Sequence, residues 1–209
     1  MLKPCGVGLW PALCFFALPA FAAISGSDAT IELENPWLRV VRVHYSPHEK
    51  TAVHAHPPTP TIYVYVTDGG RLRIGHDGED PVMRPPVKAN GIRYQKGVAE
   101  THWVEELDGV ESQYIRLELK IQQVDLPAED VRRAPADKTP YESGMLRIMR
   151  VTCAAHSACP ASAHPENPAV VVFGRDYKWL PAGAPPITNN SDAAMEQVRV
   201  ELKTQPMSK

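Results

Sequence analysis

One feature constrains this chain more than any other: it contains most of itself twice. LRVVRVHYSPHEKTAVHAHPPTPTIYV (38–64) lies without a gap over LRIMRVTCAAHSACPASAHPENPAVVV (146–172) at an offset of 108. Leu38 meets Leu146, Arg39 meets Arg147, Arg42 meets Arg150 and Val43 meets Val151. His48 meets His156, His56 meets His164, Pro57 meets Pro165 and Pro60 meets Pro168. Chance matches among β-forming residues are common, but a run that includes Arg, His and Pro at fixed spacing is not. Downstream, IRLELK (115–120) meets VRVELK (198–203) at an offset of 83, so between the two blocks the second copy has lost 25 residues. Internal repetition at this period means two copies of one supersecondary unit.

Each copy reads as β-structure. WLRVVRVHY (37–45), TIYVYVT (61–67), RLRIG (71–75), GIRYQ (91–95), THWVEEL (101–107) and SQYIRLELKI (112–121) are short β-rich runs. Turn clusters such as TDGG and DGEDP separate them, the pattern of a sandwich or barrel. With 21 prolines, long helices are not expected. PAEDVRRAPADK (127–138) reads as linker or a helical turn. The expected organisation is a signal segment over 1–22, a first unit over 30–122, a linker over 123–142 and a shortened second unit over 143–205.

The signal assignment rests on Lys3, the apolar stretch from Val7 to Phe21 and the Ala20-Phe21-Ala22 cleavage pattern. A membrane anchor needs about 20 unbroken apolar residues, whereas this stretch is shorter and carries Pro11 and Pro19. Export to the periplasm or the exterior is therefore expected, with no membrane association after cleavage. Removing 1–22 takes away one lysine, leaving 21 basic against 24 acidic residues, a net charge of −3. With no basic block, nothing in the sequence points to nucleic acid. Of the four cysteines only Cys153 and Cys159 remain in the mature chain, and in an oxidising compartment such a pair reads first as a disulfide. A second reading stays open, because CAAHSACPASAH (153–164) has Cys-x2-His-x2-Cys-x4-His spacing, which resembles a zinc site.

His54 and His56 share one face of a strand, and two imidazoles there either meet a metal or sit on a wet surface. His102, in GVAETHWVEEL, lies 46 residues after His56 on a later strand. Here the sequence resembles the cupins, double-stranded β-barrels of the jelly-roll type, whose first motif ends in H-x-H-x(3–4)-E-x(6)-G and whose second contains P-x-G-x(2)-H-x(3)-N. The resemblance covers about 34–121 and, more weakly, 143–205, where LPAGAPPITNNSD (180–192) matches the second-motif turn. It implies an all-β fold of two tandem jelly-roll barrels, the second shortened, and metal ligands at His54, His56 and His102. The sequence departs from the pattern at four places. Pro60 or Thr61 stands at the motif glutamate, His48 at the opening glycine, QKGVAET replaces the turn before His102, and Glu106 stands at the asparagine.

Three histidines without the glutamate bind zinc, iron, copper, nickel or manganese without selecting among them. The resemblance to cupin oxygenases that hold iron with three histidines puts iron first, with dioxygenase chemistry as its implied activity. Losing a carboxylate leaves the site more positive, which favours a small anionic organic ligand. Glu100, two residues before His102, is either a ligand or base at the site or a solvated strand residue. Tyr63 and Tyr65 either line the pocket, Tyr63 then as a catalytic residue, or pack the barrel. Trp103 faces away from His102 and reads as core. In the second copy Ser162 replaces the first histidine, His164 survives, and Pro186 stands at the third position, so this half is expected to be structural. His44, His48 and His76 read as surface or packing residues. A non-enzymatic module that binds a small ligand or a metal is the alternative function, and a homodimer is an allowed assembly.

Overall fold

The computed structural model describes residues 28–123 and 141–207. The signal segment and the linker stretch 127–138 lie outside the described residues. The first copy supplies β1 (Asp28–Glu34), β2 (Leu38–Tyr45), β3 (His54–His56), β4 (Thr61–Tyr65), β5 (Leu72–His76), β6 (Val82–Arg84), β7 (Ile92–Gln95), β8 (Glu100–Glu106) and β9 (Ser112–Leu119). These make two antiparallel sheets, five strands in the order β1-β2-β9-β4-β7 and four in the order β3-β8-β5-β6, which face each other as a jelly-roll barrel. Among the described residues no helix is long and apolar enough to cross a membrane.

The second copy supplies β10 (Tyr141–Glu142), β11 (Leu146–Cys153), β12 (Ser157–Ala158), β13 (Ala169–Phe173), β14 (Asp176–Leu180), β15 (Thr188–Asn189) and β16 (Met195–Leu202). Its five-stranded sheet, β10-β11-β16-β13-β14, repeats the order of the first. Its smaller sheet has only two strands, β12 and β15. Most of the missing residues are the β5–β6 hairpin: Phe173 pairs directly with Asp176 across a turn at Gly174, whose φ of 55° favours glycine. At the same place the first copy runs out through two further strands before returning to β7.

The two copies do not fold as separate bodies, because their five-stranded sheets bury one common core. Leu38, Val40, Ile62, Val64, Ile115, Leu117 and Leu119 from the first copy pack with Leu146, Ile148, Val170, Val172, Val198, Val200 and Leu202 from the second. Strand alternation makes this possible. On β9, Ile115, Leu117 and Leu119 face the common core, while Tyr114 and Arg116 face the barrel interior. Trp37 meets Trp179 and Tyr94 meets Tyr141 at its margins, with ring centroids 6.5 and 5.8 Å apart. The Gln122 amide donates to Gln205 O and the Met207 amide to Lys120 O, lacing the chain ends across the join.

A smaller apolar cluster, Val151, Cys153, Cys159, Val171 and Ile187, fills the space under the two-stranded sheet. There Cys153 and Cys159 are disulfide-bonded, with Cα atoms 4.6 Å apart. They close a loop shorter than the 15-residue one for which chain entropy gives about 3 kcal/mol, so the bridge contributes less than that.

A shared core predicts shared unfolding. Leu117→Ala and Leu202→Ala, one in each copy, should each cost about 2–5 kcal/mol and lower a single calorimetric transition. Two separable transitions, only one of which responds to each substitution, would contradict a common core.

Candidate metal centre

Register places the site. On the small sheet His54 pairs with His102, and His102 pairs on its other side with His76, while His56 pairs with Glu100. Three adjacent strands, β3, β8 and β5, thus carry a row of three histidines, with His56 and Glu100 in the row beside it. His54, His56 and His102 form a near-equilateral cluster, with ring centroids 4.9, 4.8 and 4.8 Å apart. One ligating nitrogen from each lies within 4.8 Å of the others. The cluster opens on a cavity inside the barrel that it shares with Tyr63, Val104 and Arg116. The cavity is small, about 20 Å³, which is room for an ion or one small group.

Each ring is held from behind. His54 Nδ1 lies 2.9 Å from Ala52 O, so that nitrogen carries the proton and leaves Nε2 free. Behind His102, Glu100 Oε1 lies 2.9 Å from Nδ1, off the direction of that N–H, and accepts from His76 Nε2 at 2.7 Å. The second Glu100 oxygen accepts from Gln95 Nε2 at 3.1 Å, and Gln95 Oε1 accepts from the Tyr63 hydroxyl at 3.0 Å. The contact with His102, and after it those with His76 and Gln95, hold the Glu100 carboxyl far below the usual carboxylate range against the opposing effect of burial. It is therefore ionised at neutral pH. A carboxylate behind a ligating imidazole fixes the ring's tautomer and raises its basicity.

His56 is different. Its Nδ1 lies 3.2 Å from Arg116 Nη1, and Arg116 is 3% exposed, with Nη2 3.1 Å from Glu118 Oε1. Burial, then the Arg116 charge, lowers the His56 pKa to about 3, and burial lowers that of His54. Both rings are neutral at neutral pH, the state that ligates metal. A set of three imidazoles, with the His54 ring already oriented by Ala52 O, fits a divalent transition metal.

The structure brings the three histidines together. Tyr63 lines the same cavity, with burial pushing its hydroxyl up to about 12. Glu100 sits behind the rings rather than in the cavity. Tyr65 packs in the barrel core against Tyr114, with centroids 5.9 Å apart. His76 corrects its sequence reading: it is neither surface nor simple packing but the far partner of Glu100, at 2.7 Å. The signal that points to it is register, since β5 ends where β8 carries His102. Trp103 is also corrected, lying half-buried on the outer sheet face. Lys50 Nζ sits 4.1 Å from its ring centroid, and the ring covers Gly75, where a Cβ would meet it at 2.2 Å.

Two of the motif departures have local causes. His48 adopts a φ of 57° and His156 one of 51°, the conformation that suits glycine. Glu106, 1% exposed, accepts from the amides of His48, Asp108 and Gly109 at 2.9, 2.9 and 2.7 Å and thereby closes two turns. Burial raises its pKa, but those backbone donors prevail and hold it low. Asn189 stands at the equivalent place in the second copy and bonds Cys153 O, Ala154 O and Ala193 O.

In the second copy the site is absent. The Lys50–Glu105 and Ala158–Thr188 pairings put Pro185, rather than Pro186, opposite His102 in the repeat. Ser162 donates to Glu201 Oε1 at 2.6 Å where His54 stands in the first copy, and His164 is half-exposed beside Glu166. The sulfurs of Cys153 and Cys159 are bonded to each other, and His156 Nε2 lies 2.8 Å from Asp192, so no zinc arrangement forms there. His44 meets Glu111 at 3.0 Å on the surface.

The deciding observation is the chain's own architecture: a two-sheet antiparallel barrel with His-x-His on one strand and the third histidine opposite on its neighbour. This is the cupin fold. No family model and no curated protein matches the sequence. Among solved structures, the chain is similar to a cupin domain from Bordetella pertussis Tohama I at 19% identity, TM-score 0.40, covering 47% of this chain and 98% of that one. It is also similar to AerE from Microcystis aeruginosa at 12% identity, TM-score 0.47, covering 85% and 98%. Vicilin from hazelnut, Corylus avellana, is similar at 10% identity, TM-score 0.48, covering 85% of each chain. The first copy of this chain has both sheets and the three-histidine cluster, and the second keeps the five-stranded sheet with a two-stranded remnant of the other.

The depressed histidine pKa values fix a pH dependence. As pH falls from about 6.5, the ordinary histidine value, toward the His56 value of about 3, the unfolded chain binds protons that the folded rings refuse. Stability is therefore full above about 6.5 and is lost with acidification through that window. Metal-free protein should melt at a lower temperature at pH 5 than at pH 7, and His56→Gln should flatten the slope. An unchanged slope in that variant would show that His56 is protonated as readily in the fold as in water.

Proposed function

We propose that the first barrel binds one divalent metal through His54, His56 and His102, in an exported cupin that acts on a small anionic organic molecule, with oxygenase chemistry as the activity. The observation that carries this reading is the near-equilateral cluster of three imidazoles, two with Nδ1 turned to Ala52 O and Glu100. A bound metal, iron first among the candidates, would supply Lewis acidity and redox capacity. The protein's own residues supply the rest. Glu100, braced by His76 and Gln95, sets a carboxylate 2.9 Å from His102 Nδ1, and the Ala52 carbonyl fixes His54. Tyr63, its hydroxyl committed to Gln95 and protonated, lines the cavity without offering a base there. Arg116 and the missing motif carboxylate leave the cavity positive, which suits an anion.

One observation favours the non-enzymatic alternative. A guanidinium only donates, so His56 in its contact with Arg116 accepts at Nδ1 and carries its own proton on Nε2. Ligation through Nε2 requires Arg116 to release that nitrogen. A module that holds its ligand mainly through Arg116 and the histidines, with metal bound weakly or without turnover, follows from the same geometry.

Metal analysis of variants, followed by oxygen uptake, separates the readings. His54→Ala, His56→Ala and His102→Ala should each remove most bound metal while leaving the fold, and His164→Ala should remove none. Glu100→Ala should weaken metal binding about 10- to 100-fold. Iron-loaded protein should then take up oxygen with at least one of a panel of thiols, diketones and phenolic acids. Loss of metal in His164→Ala equal to that in the others would overturn the site, and no uptake from iron-loaded protein would favour the binding module.

A further inference from the structure

Next to the three histidines the barrel buries a second, chemically different group of side chains. The cavity wall continues from His54, His56 and His102 to Arg84, Arg116, Tyr45 and Tyr114. Arg84 comes from the edge strand β6 and reaches inward. It is half-buried and shares the cavity wall with Tyr45, Tyr63 and Tyr114, and no carboxylate among the described residues forms an ion pair with it. Arg116 has a partner in Glu118, yet its Nε is buried without any hydrogen bond. Guanidinium groups inside a protein are ordinarily paired, because an unpartnered buried charge is costly.

The tyrosines complete the argument. Tyr45 and Tyr114 hydroxyls lie 3.2 Å apart. The pair has two O–H groups and uses one between its oxygens, leaving the other free to donate. Burial raises the pKa of both, so both stay protonated and remain donors. This part of the wall is thus rich in donors: the Arg84 fork and one spare phenol O–H, with the Arg116 guanidinium beside them between Glu118 and His56. Glu100 and Glu118, the nearby acids, are committed to His76, Gln95, Arg116 and Arg39.

We propose that Arg84, Arg116 and the Tyr45–Tyr114 hydroxyl pair form an anion subsite that takes the carboxylate of a small organic acid, with the rest of the acid directed at the histidines. A planar fork matches a carboxylate in two parallel bonds, and the small volume of the cavity excludes bulky anions. The proposal names the substrate class of the site described above and rests on that reading for what lies at the histidine end. The carboxylate anchor itself needs no metal.

The test uses the mature protein stripped of metal with a chelator and then dialysed. Acetate, glycolate and oxalate are titrated by calorimetry at constant ionic strength, with inorganic phosphate as the competing anion. Saturable binding of at least one carboxylate is expected, tighter than phosphate. Arg84→Met should weaken it tenfold or more, Arg84→Lys should retain part of it, and Tyr45→Phe should weaken it less. Metal content after reloading should be unchanged in all three. The proposal is overturned if wild-type protein binds no carboxylate saturably, if phosphate binds more tightly, or if Arg84→Met binds as wild type. Should Arg84→Met fail to fold, Arg84→Lys and Tyr45→Phe decide: full wild-type affinity in both would contradict the subsite. Carboxylate binding by a protein that never retains metal would instead strike the metal reading and leave this one standing.

Discussion

Everything in this protein depends on strand β9 being buried on both faces. One face carries Ile115, Leu117 and Leu119 into the core shared with the second copy. The other carries Tyr114, Arg116 and Glu118 into the first barrel. A strand covered on both sides is fixed in register, because a slip of one residue would put Arg116 into the apolar core and Leu117 into the polar cavity. The same holds in β16, where Val198, Val200 and Leu202 alternate with buried Gln197, Arg199 and Glu201. The second copy is thus the apolar backing that keeps the cavity-facing side of β9 in place.

The chemistry of the first barrel follows from what stands opposite that fixed wall. The small sheet brings four histidines and one glutamate together through pairings of β3 with β8 and β8 with β5. Donors and acceptors then sort by position. Acceptors lie behind the rings, as Ala52 O and Glu100, and donors lie across the cavity, as Arg84, Arg116 and tyrosine hydroxyls. Removing the β5–β6 hairpin from such a unit removes the counterparts of His76 and Arg84 together. The second copy lacks that hairpin, and its inner polar face is satisfied internally, with Ser162 on Glu201 and Arg199 on Pro160 O.

The repeat made much of this legible. It announced two β-units, the shortened second one and, through the offset change, a deletion that is mostly the β5–β6 hairpin. The alternating runs marked β2, β4, β5, β7, β8 and β9 to within about two residues at each end. What a single sequence does not display is which faces of two copies meet. IRLELK and VRVELK alternate apolar and charged residues, and such alternation ordinarily reads as one wet face, whereas here the charged faces are enclosed. His76 and Arg84 escaped for the same reason: each is an isolated residue whose meaning depends on a neighbouring strand. Alternation puts Trp103 on the face away from His102, where a single sequence reads a tryptophan as core, and the small residue paired with it, Gly75, gives it a place on the outer face. His54, His56 and His102 stood out because two share a strand and the third follows a turn.

X-ray absorption spectroscopy at the metal edge of the purified, metal-loaded protein tests the central claim most directly. Three imidazole nitrogens should surround the metal, at about 2.0–2.1 Å if it is zinc, with only oxygen or nitrogen scatterers completing the shell and no sulfur. A shell without imidazole scattering, or with sulfur at about 2.3 Å, would contradict the assignment of His54, His56 and His102 as the ligands.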